Sequence, residues 1–214
     1  MTQNPKTRRP GREAGCDPVL ISRLLELMEN EIVPLTRREV ARGNKIFGAA
    51  VLKKGDLSTV VVGSNNEIEN PLWHGEVHTI KLLYELPRDL RPHPRDLIFF
   101  STHEPCPLCL SAIAWAGFDV FYYFFSHEDS RDSFGIGHDL AILKEVFKQE
   151  PGGYARSNRY WTGYGLKDLI AACAREDREA FADRVGRLEA DYERLSGLYQ
   201  ANKARIDSKD IPLR

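Results

Sequence analysis

Four side chains in two short motifs have the types and spacing of a metal site that activates water. His74 and Glu76 flank Gly75 in one motif, and Cys106 and Cys109 form a C-x-x-C pair in the other. Zinc binds nitrogen and thiolate ligands in a tetrahedron, and a catalytic zinc keeps one position for water. The histidine and the two cysteines supply three ligands, and Glu76 supplies a carboxylate that could move a proton beside the fourth position. The sequence therefore predicts an open zinc site with Glu76 as its catalytic residue.

Both motifs are predicted to lie at the starts of helices, which can bring them to one metal ion. A helix with apolar residues at helical spacing begins near His74, so His74 and Glu76 share its first turn. The cysteines follow an apolar run at residues 97–101, typical of a strand buried on both faces, and lead into an apolar helix over residues 110–116. Because free N–H groups at a helix start favour negative charge, this position lowers the cost of holding two thiolates.

Two other interpretations of these residues are structural. His78 lies four residues after His74 on the same predicted helix face, so it could close a Cys2His2 site with the two cysteines. Such a closed site would leave Glu76 without a role, and its cysteines would be expected in a free loop. In the second alternative no metal binds, and the thiols and the histidine are ordinary core residues. We favour the catalytic interpretation because the two motifs occur together.

The order of predicted elements indicates an α/β protein. Helices are predicted from residue 17, with a kink or end at Pro34, and over residues 35–42, and a β-hairpin over residues 46–62 follows. The apolar runs at residues 97–101 and 119–125 flank a helix and so form a parallel β-α-β unit. The remaining predictions are a helix over residues 138–149, a short strand at residues 159–161 and a charged helical region over residues 166–199.

Composition and charge narrow the class of protein. The chain has 214 residues, a formal net charge of −1 and an apolar fraction of 42%, which together favour a folded protein with a core. A charge so close to zero argues against a protein that coats nucleic acid. No apolar run reaches membrane-spanning length, and the polar, basic segment 1–15 lacks the features of a secretory signal. We therefore predict a cytoplasmic protein with no membrane partner, for which a nucleic-acid partner is disfavoured.

The cysteine content supports the same prediction. Four cysteines are too few for a disulfide scaffold in a chain of 214 residues. Cys16 and Cys173 stand alone in the sequence, and each is interpreted as a small buried apolar residue or an idle thiol. The sequence thus predicts that the cysteines are reduced.

Several short motifs resemble those of the cytidine deaminase-like superfamily, over roughly residues 47–125. H-x-E followed by P-C-x-x-C is the signature of zinc deaminases that act on bases. The matching segments are Phe47-Gly48-Ala49, Gly63-Ser64-Asn65, His74-Gly75-Glu76 and Pro105 to Cys109. Gly75 stands where many members have alanine, and the H-G-E form is shared with fungal-type cytosine deaminases. The segment 135–139 loosely resembles bacterial guanine deaminases, so the motifs are most similar to cytosine and guanine deaminases.

This resemblance implies a fold and a site. The implied fold is a three-layer α/β/α arrangement with a five-stranded mixed sheet, a parallel final strand pair and extra N- and C-terminal helices. The implied site holds Zn2+ on His74, Cys106 and Cys109, with Glu76 as proton carrier. Asn65 is implied to contact the base, and Trp161 or Tyr164 could stack on it. Residues 125–127 leave the end of a central strand, where α/β sites form. The family also implies a homo-oligomer, and we expect a homodimer.

The implied reaction is hydrolytic deamination of a small molecule. A zinc-bound hydroxide would attack the amine-bearing ring carbon of a cytosine- or guanine-type nucleobase or nucleoside, and ammonia would leave. One alternative is a deaminase of bases in nucleic acid, of the tRNA adenosine type. The alternative from another class is the non-enzymatic Cys2His2 zinc module.

Three segments are predicted along the chain. Residues 1–16 form a disordered basic tail, residues 17–165 form the zinc deaminase domain with a core at about 46–150, and residues 166–214 form a helical extension packed on it.

Overall fold

The computed structural model describes residues 15–207 and 211–213, apart from the side chain of Asp139. The predicted basic tail lies outside the described residues except for Gly15 and Cys16. The helices are α1 (Pro18–Leu27), α2 (Val33–Arg42), α3 (Gly75–Glu85), α4 (Pro107–Trp115), α5 (His127–Asp132), α6 (His138–Glu145), α7 (Leu166–Ala171) and α8 (Arg175–Asn202). The strands are β1 (Gly48–Lys53), β2 (Thr59–Ser64), β3 (Leu97–His103), β4 (Val120–Phe125) and β5 (Thr162–Gly165).

The five strands form one mixed sheet in the order β2-β1-β3-β4-β5. β1 runs antiparallel to both β2 and β3, whereas β3, β4 and β5 are mutually parallel neighbours. The parallel β-α-β unit and the parallel final pair predicted from the sequence are confirmed. Because β3 and β4 point the same way, their C-terminal ends, His103 and Phe125, lie side by side at one edge of the sheet.

Helices cover both faces of the sheet, which gives the predicted three layers. Successive side chains of a strand point to opposite faces. On one face, Ala50, Phe100 and Phe124 join an apolar cluster with residues of α1, α2, α7 and α8. On the other face, Val51 and Phe99 join a second cluster with residues of α3 and α4. The extra N- and C-terminal helices therefore share one layer, and the two helices that carry the motifs form the other.

Local boundaries differ from the prediction at several elements, and two of these differences have a clear physical cause. The last strand begins at Thr162 rather than at residue 159, because the carboxamide oxygen of Asn158 accepts the N–H groups of Tyr160 and Trp161 and holds them in a turn. The N-terminal helical region does not break at Pro34. A π-helical turn, Met28–Ile32, joins α1 to α2, and the proline occupies the first turn of α2, where its missing N–H is not needed.

The prediction that Cys16 and Cys173 are separate reduced residues is wrong. The two sulfurs form a disulfide, across a sequence separation of 157 residues. α1 packs against α7, and this contact brings the start of α1 to the end of α7. The pairing depends on helix packing between distant segments, which residue spacing alone does not reveal.

Candidate metal and catalytic site

The two motifs meet where α3 and α4 begin. His74 is the residue before α3, and Cys106 is the residue before α4. The Nδ1 atom of His74 lies 3.5 Å from Sγ of Cys106 and 3.7 Å from Sγ of Cys109, and the two sulfurs are 3.6 Å apart. These three residues form a cluster that could hold a metal ion.

The spacing and chemistry of this cluster fit zinc. Tetrahedral ligands at Zn–S and Zn–N distances of about 2.3 Å and 2.0–2.1 Å would lie about 3.6–3.8 Å from one another. The three observed separations are close to those values. In the protein alone, burial and the neighbouring Cys106 and Glu76 raise the pKa of the Cys109 thiol. A cation between the sulfurs would remove this obstacle to ionisation.

Glu76 lies in the first turn of α3 with its carboxyl group against the cluster. One oxygen, Oε1, accepts a hydrogen bond of 2.9 Å from the Ser101 hydroxyl, and Oε2 lies 3.3 Å from Sγ of Cys109. The residue is 4% exposed, and burial raises its pKa. A carboxyl group whose pKa is raised holds a proton more readily than an exposed one, which suits a group that must accept and then donate a proton.

His78 is held away from the cluster. Its Nδ1 atom lies 2.8 Å from the carbonyl oxygen of Ser64, and its ring stacks on Trp73 at a centroid distance of 5.5 Å. Within the described residues, the metal-site cluster comprises His74 and the two cysteines without His78. This geometry favours an open site with three protein ligands over a closed Cys2His2 site.

Asn65 is buried and lines neither of the two cavities described below. Its carboxamide oxygen accepts the N–H groups of Lys45 and Glu67, and its Nδ2 donates to the Glu67 carboxylate at 2.7 Å. Lys45 also forms a 3.0 Å ion pair with Glu67, and both residues are buried. The Glu67 oxygen that pairs with Lys45, Oε1, also lies 3.7 Å from Nε2 of His74. The predicted role of Asn65 as a base contact stays a prediction.

Trp161, the other predicted substrate contact, packs away from the metal-site cluster. Its ring meets Phe121 edge to face at 6.0 Å in the apolar cluster beneath α3 and α4. It is absent from the lining of both cavities described below. Its stacking role likewise stays a prediction.

A small cavity of about 10 Å³ lies against Glu76 and the three metal-site residues. It is also lined by Phe47, His103, Glu104, His127 and Ser130. These side chains come from the start of β1 and from the C-terminal ends of β3 and β4, the edge at which α/β proteins form their sites. Residues 125–127 were predicted to lie at this edge, whereas His103 was missed, although its place at the end of the buried strand β3 was an available signal.

Glu104 fastens the loop that carries Cys106. Its Oε2 accepts the N–H of His127 at 2.9 Å, and its Oε1 accepts the Tyr154 hydroxyl at 2.8 Å and the Arg156 guanidinium at 3.1 Å. The His127 ring also lies 3.2 Å from the carbonyl oxygen of Pro105. The loop before α4 is thus bound to the end of β4 and to the segment before β5, which fixes the thiols in place.

A larger cavity of about 450 Å³ lies on the other side of His74 and Cys106. Its lining is mostly apolar and includes Leu72, Leu108 and Phe147, each of which is exposed. Glu76 does not line this cavity, and its carboxyl group faces the smaller one.

The fold and site define a class: three-layer α/β proteins with a zinc site between two helix starts. Residues 23–125 match the family model described as the cytidine and deoxycytidylate deaminase zinc-binding region. This match confirms the resemblance to zinc deaminases predicted from the motifs. A zinc ion is the cofactor that the family and the three-residue cluster share.

Two relatives show what this chain is similar to. The chain is 34% identical over 108 residues to guanine deaminase of Bacillus subtilis (strain 168). The matched residues make up 48% of this chain and 63% of that protein. The chain thus spans less than two thirds of that relative's length. The solved guanine deaminase of Bacillus subtilis has a TM-score of 0.46 at 29% identity, covering 58% of this chain and 74% of the other.

A second solved structure supports the fold over most of the chain. The other protein was solved in complex with 2,6-diaminopurine, and its TM-score to this chain is 0.50 at 16% identity. The match covers 90% of this chain and 86% of that protein. At that identity the likeness concerns the fold alone. Separately, among the described residues, every helix is too short or too polar to cross a membrane.

Proposed function

We propose that the protein is a zinc-dependent hydrolytic deaminase of a nucleobase or nucleoside, with a guanine-type base favoured over a cytosine-type base. The observation that carries the proposal is the placement of Glu76 beside three atoms spaced as zinc ligands. The likeness to a guanine deaminase at 34% identity supports the choice of base.

The roles of the chain's own residues follow from their positions. His74, Cys106 and Cys109 would hold the zinc ion. When bound, zinc would lower the pKa of a coordinated water and so supply a nucleophile near neutral pH. Glu76 would take one proton from that water and give it to a ring nitrogen. It would then take the proton of the hydroxyl group added to the ring carbon and give it to the departing amine, which leaves as ammonia.

The surroundings of Glu76 suit this proton transfer. The Ser101 hydroxyl donates to Oε1 and leaves Oε2 directed toward the metal-site cluster. Because Glu76 is buried, competing solvent is excluded from the carboxyl group. The Glu104 network holds the thiol-bearing loop against the end of β4, so the ligands do not have to be ordered when substrate binds.

A substrate without a phosphate group fits the charges around the site. In the described part of the chain, none of the residues that line the two cavities is a lysine or an arginine. A phosphate buried there would lack a cationic partner, which is costly. We therefore place free bases and nucleosides ahead of nucleotides.

The test is ammonia release from a panel of guanine, adenine, cytosine, their nucleosides, their nucleotides and tRNA. We expect release from a base or nucleoside, with guanine turned over faster than cytosine. Release from adenosine in tRNA alone would support the nucleic-acid alternative instead, and release from none of these by the zinc-loaded protein would contradict the proposal. A homodimer and a cytoplasmic location remain predictions, which sedimentation and localisation experiments can check.

A further inference from the structure

His103 is a buried histidine in the wall of the smaller cavity. It is the last residue of β3 and is 2% exposed. Its Nδ1 atom lies 2.9 Å from the hydroxyl oxygen of Thr102, which also accepts the N–H of Gly48 at 3.0 Å. Its Nε2 atom is buried and has no hydrogen-bond partner among the described residues.

The ring is held in a cage of aromatic side chains. Phe47 meets it edge-on at a centroid distance of 4.7 Å, and Phe125, Phe134 and Tyr192 lie at 4.9, 5.3 and 5.4 Å. Burial, with a smaller contribution from Lys167, lowers the pKa of His103 to about 3. The imidazole is therefore neutral at physiological pH, and it has little freedom to turn toward another partner.

An unmet hydrogen bond at a buried nitrogen is costly, and such a group in a native protein calls for an explanation. In either tautomer, Nε2 has an N–H without an acceptor or a lone pair without a donor. The same cavity is lined by Glu76 and by the metal-site residues. A ligand that reacts beside Glu76 would thus also meet the His103 ring.

We propose that His103 is a specificity-determining residue whose Nε2 forms a hydrogen bond with the substrate ring. This inference rests on the proposed deaminase function. It assigns as substrate a neutral amino heterocycle that carries a further ring nitrogen on the edge away from the reacting amine. The neutral imidazole suits such a ring, because it can form the bond without burying a net charge.

Binding of a heterocycle requires the cavity wall to move. A cavity of about 10 Å³ has room for roughly one water molecule, which is far less than a base needs. The strands and the two motif helices are braced by the sheet and the Glu104 network, which also holds the first residue of α5 (His127–Asp132) through the N–H of His127. We expect the rest of α5, which contributes Ser130 to the lining, to shift when the ring enters.

The experiment compares guanine with analogues in which one ring nitrogen is replaced by CH, namely 3-, 7- and 9-deazaguanine. Ammonia release gives kcat and KM, and calorimetric binding to the zinc-loaded protein gives affinities that do not depend on turnover. We expect wild type to disfavour one of these analogues by about 10-fold or more, because a buried polar group is then left unpaired.

Two variants assign that discrimination to His103. His103→Phe fills the ring space without a hydrogen-bonding atom, and we expect the preference against that analogue to fall to within about threefold, with guanine KM raised. His103→Gln places a polar atom near the former Nε2 position and should restore part of the preference. Phe134→Leu alters the aromatic cage without removing a polar group, so it serves as the matched control and should retain the preference.

The outcomes separate this proposal from the proposed function. Ammonia release with equal discrimination in wild type and His103→Phe would overturn the role of His103, and Nε2 would then bond only a buried water molecule. If no ammonia is released but guanine binding still depends on His103, the deaminase function is contradicted and the contact between His103 and the ring is supported. Absence of discrimination in wild-type binding and turnover would also overturn the proposal.

Discussion

The ion pair between Lys45 and Glu67 shows how burial changes the energetics of a charged pair. Both side chains are almost fully buried, and the Glu67 carboxylate also receives a hydrogen bond from Asn65. Taking a charge out of water is costly, so each member of such a pair depends on the other. Loss of one partner should therefore lower the free energy of unfolding more at this pair than at a surface pair.

We predict that Lys45→Met lowers the free energy of unfolding by about 3–5 kcal/mol, because it leaves the Glu67 carboxylate buried without a cation. Urea unfolding would measure the change. The matched control is Lys81→Met, which breaks the exposed 2.6 Å pair between Lys81 and Glu85 and should cost no more than about 1 kcal/mol. Equal losses in the two variants would show that burial of the Lys45 pair has no such effect.

His103 should give stability a dependence on pH. Its pKa is about 3 in the folded protein and 6.5 as the reference value, so between these values the unfolded chain binds a proton that the folded protein does not. Stability should therefore fall as the pH drops below about 6.5, by up to about 1.4 kcal/mol per pH unit. Above that pH this loss is absent.

The variant His103→Phe isolates this effect from other titrating groups. We expect its free energy of unfolding to decline less steeply than that of wild type between pH 6.5 and pH 4.5 in urea titrations. Loss of zinc at low pH affects both proteins and cancels in the comparison. Parallel curves for the two proteins would mean that His103 is protonated in the folded state.

The residues that could be predicted from the sequence are those that act through a local motif. Two short motifs indicate their chemistry without a structure, and they contain His74, Glu76, Cys106 and Cys109. Partners from distant segments gave no such signal: the contact of Glu67 with Lys45, and the cage around His103, depend on the packing of separate strands and helices.

At the scale of elements, the close approach of α3 to β1 fixes the position of the metal-site histidine. A Cβ atom on Gly75 would lie 2.7 Å from the carbonyl oxygen and 2.8 Å from the carbonyl carbon of Phe47. These are backbone atoms of the residue before β1, and the sheet restricts their movement. The glycine in His74-Gly75-Glu76, where many family members have alanine, is thus required by the packing in this chain.

We predict that Gly75→Ala destabilises the protein by about 1–3 kcal/mol through overpacking and weakens zinc binding, because the start of α3 must move away from β1. Thermal unfolding and competition with a zinc-binding dye would measure the two effects. The matched control is Gly197→Ala in α8, where no atom lies within 4 Å of the added Cβ and helix propensity should give about 0.5–1 kcal/mol of stabilisation. An unchanged zinc affinity in Gly75→Ala would contradict this account.

The elements themselves were largely predictable, and their ends were not. Apolar runs identified β3 and β4, and Gly43 marked the end of α2 correctly. The start of β5 differs from the prediction because it depends on the side-chain contacts of Asn158. The π-helical turn before Pro34 likewise could not be predicted from the pattern of residues.

At the scale of the whole molecule, the Cys16–Cys173 disulfide ties the start of the described chain to the end of α7. It closes a loop with a sequence separation of 157 residues, and such cross-links mainly restrict the unfolded chain. Because disulfides persist in oxidising compartments, this bond removes the support that the cysteines gave to a cytoplasmic location.

We predict that Cys16→Ser lowers the free energy of unfolding by about 2–4 kcal/mol and leaves zinc content unchanged, since the bond lies apart from the metal-site cluster. Chemical unfolding and metal analysis would measure both. Thiol titration of the denatured, chelator-treated wild-type protein should find two free thiols among its four cysteines. Four free thiols in protein purified without reductant would show that the disulfide does not form.

The most direct test of the account is to measure zinc content and ammonia release together in wild type, Glu76→Gln and His78→Gln. The amide of Glu76→Gln keeps the side-chain shape and can still accept the Ser101 hydrogen bond, but it cannot carry the proton. We predict that Glu76→Gln retains zinc and loses at least about 100-fold in turnover, whereas His78→Gln retains both zinc and activity. Loss of zinc in His78→Gln, or full turnover in Glu76→Gln, would contradict an open zinc site that works through Glu76.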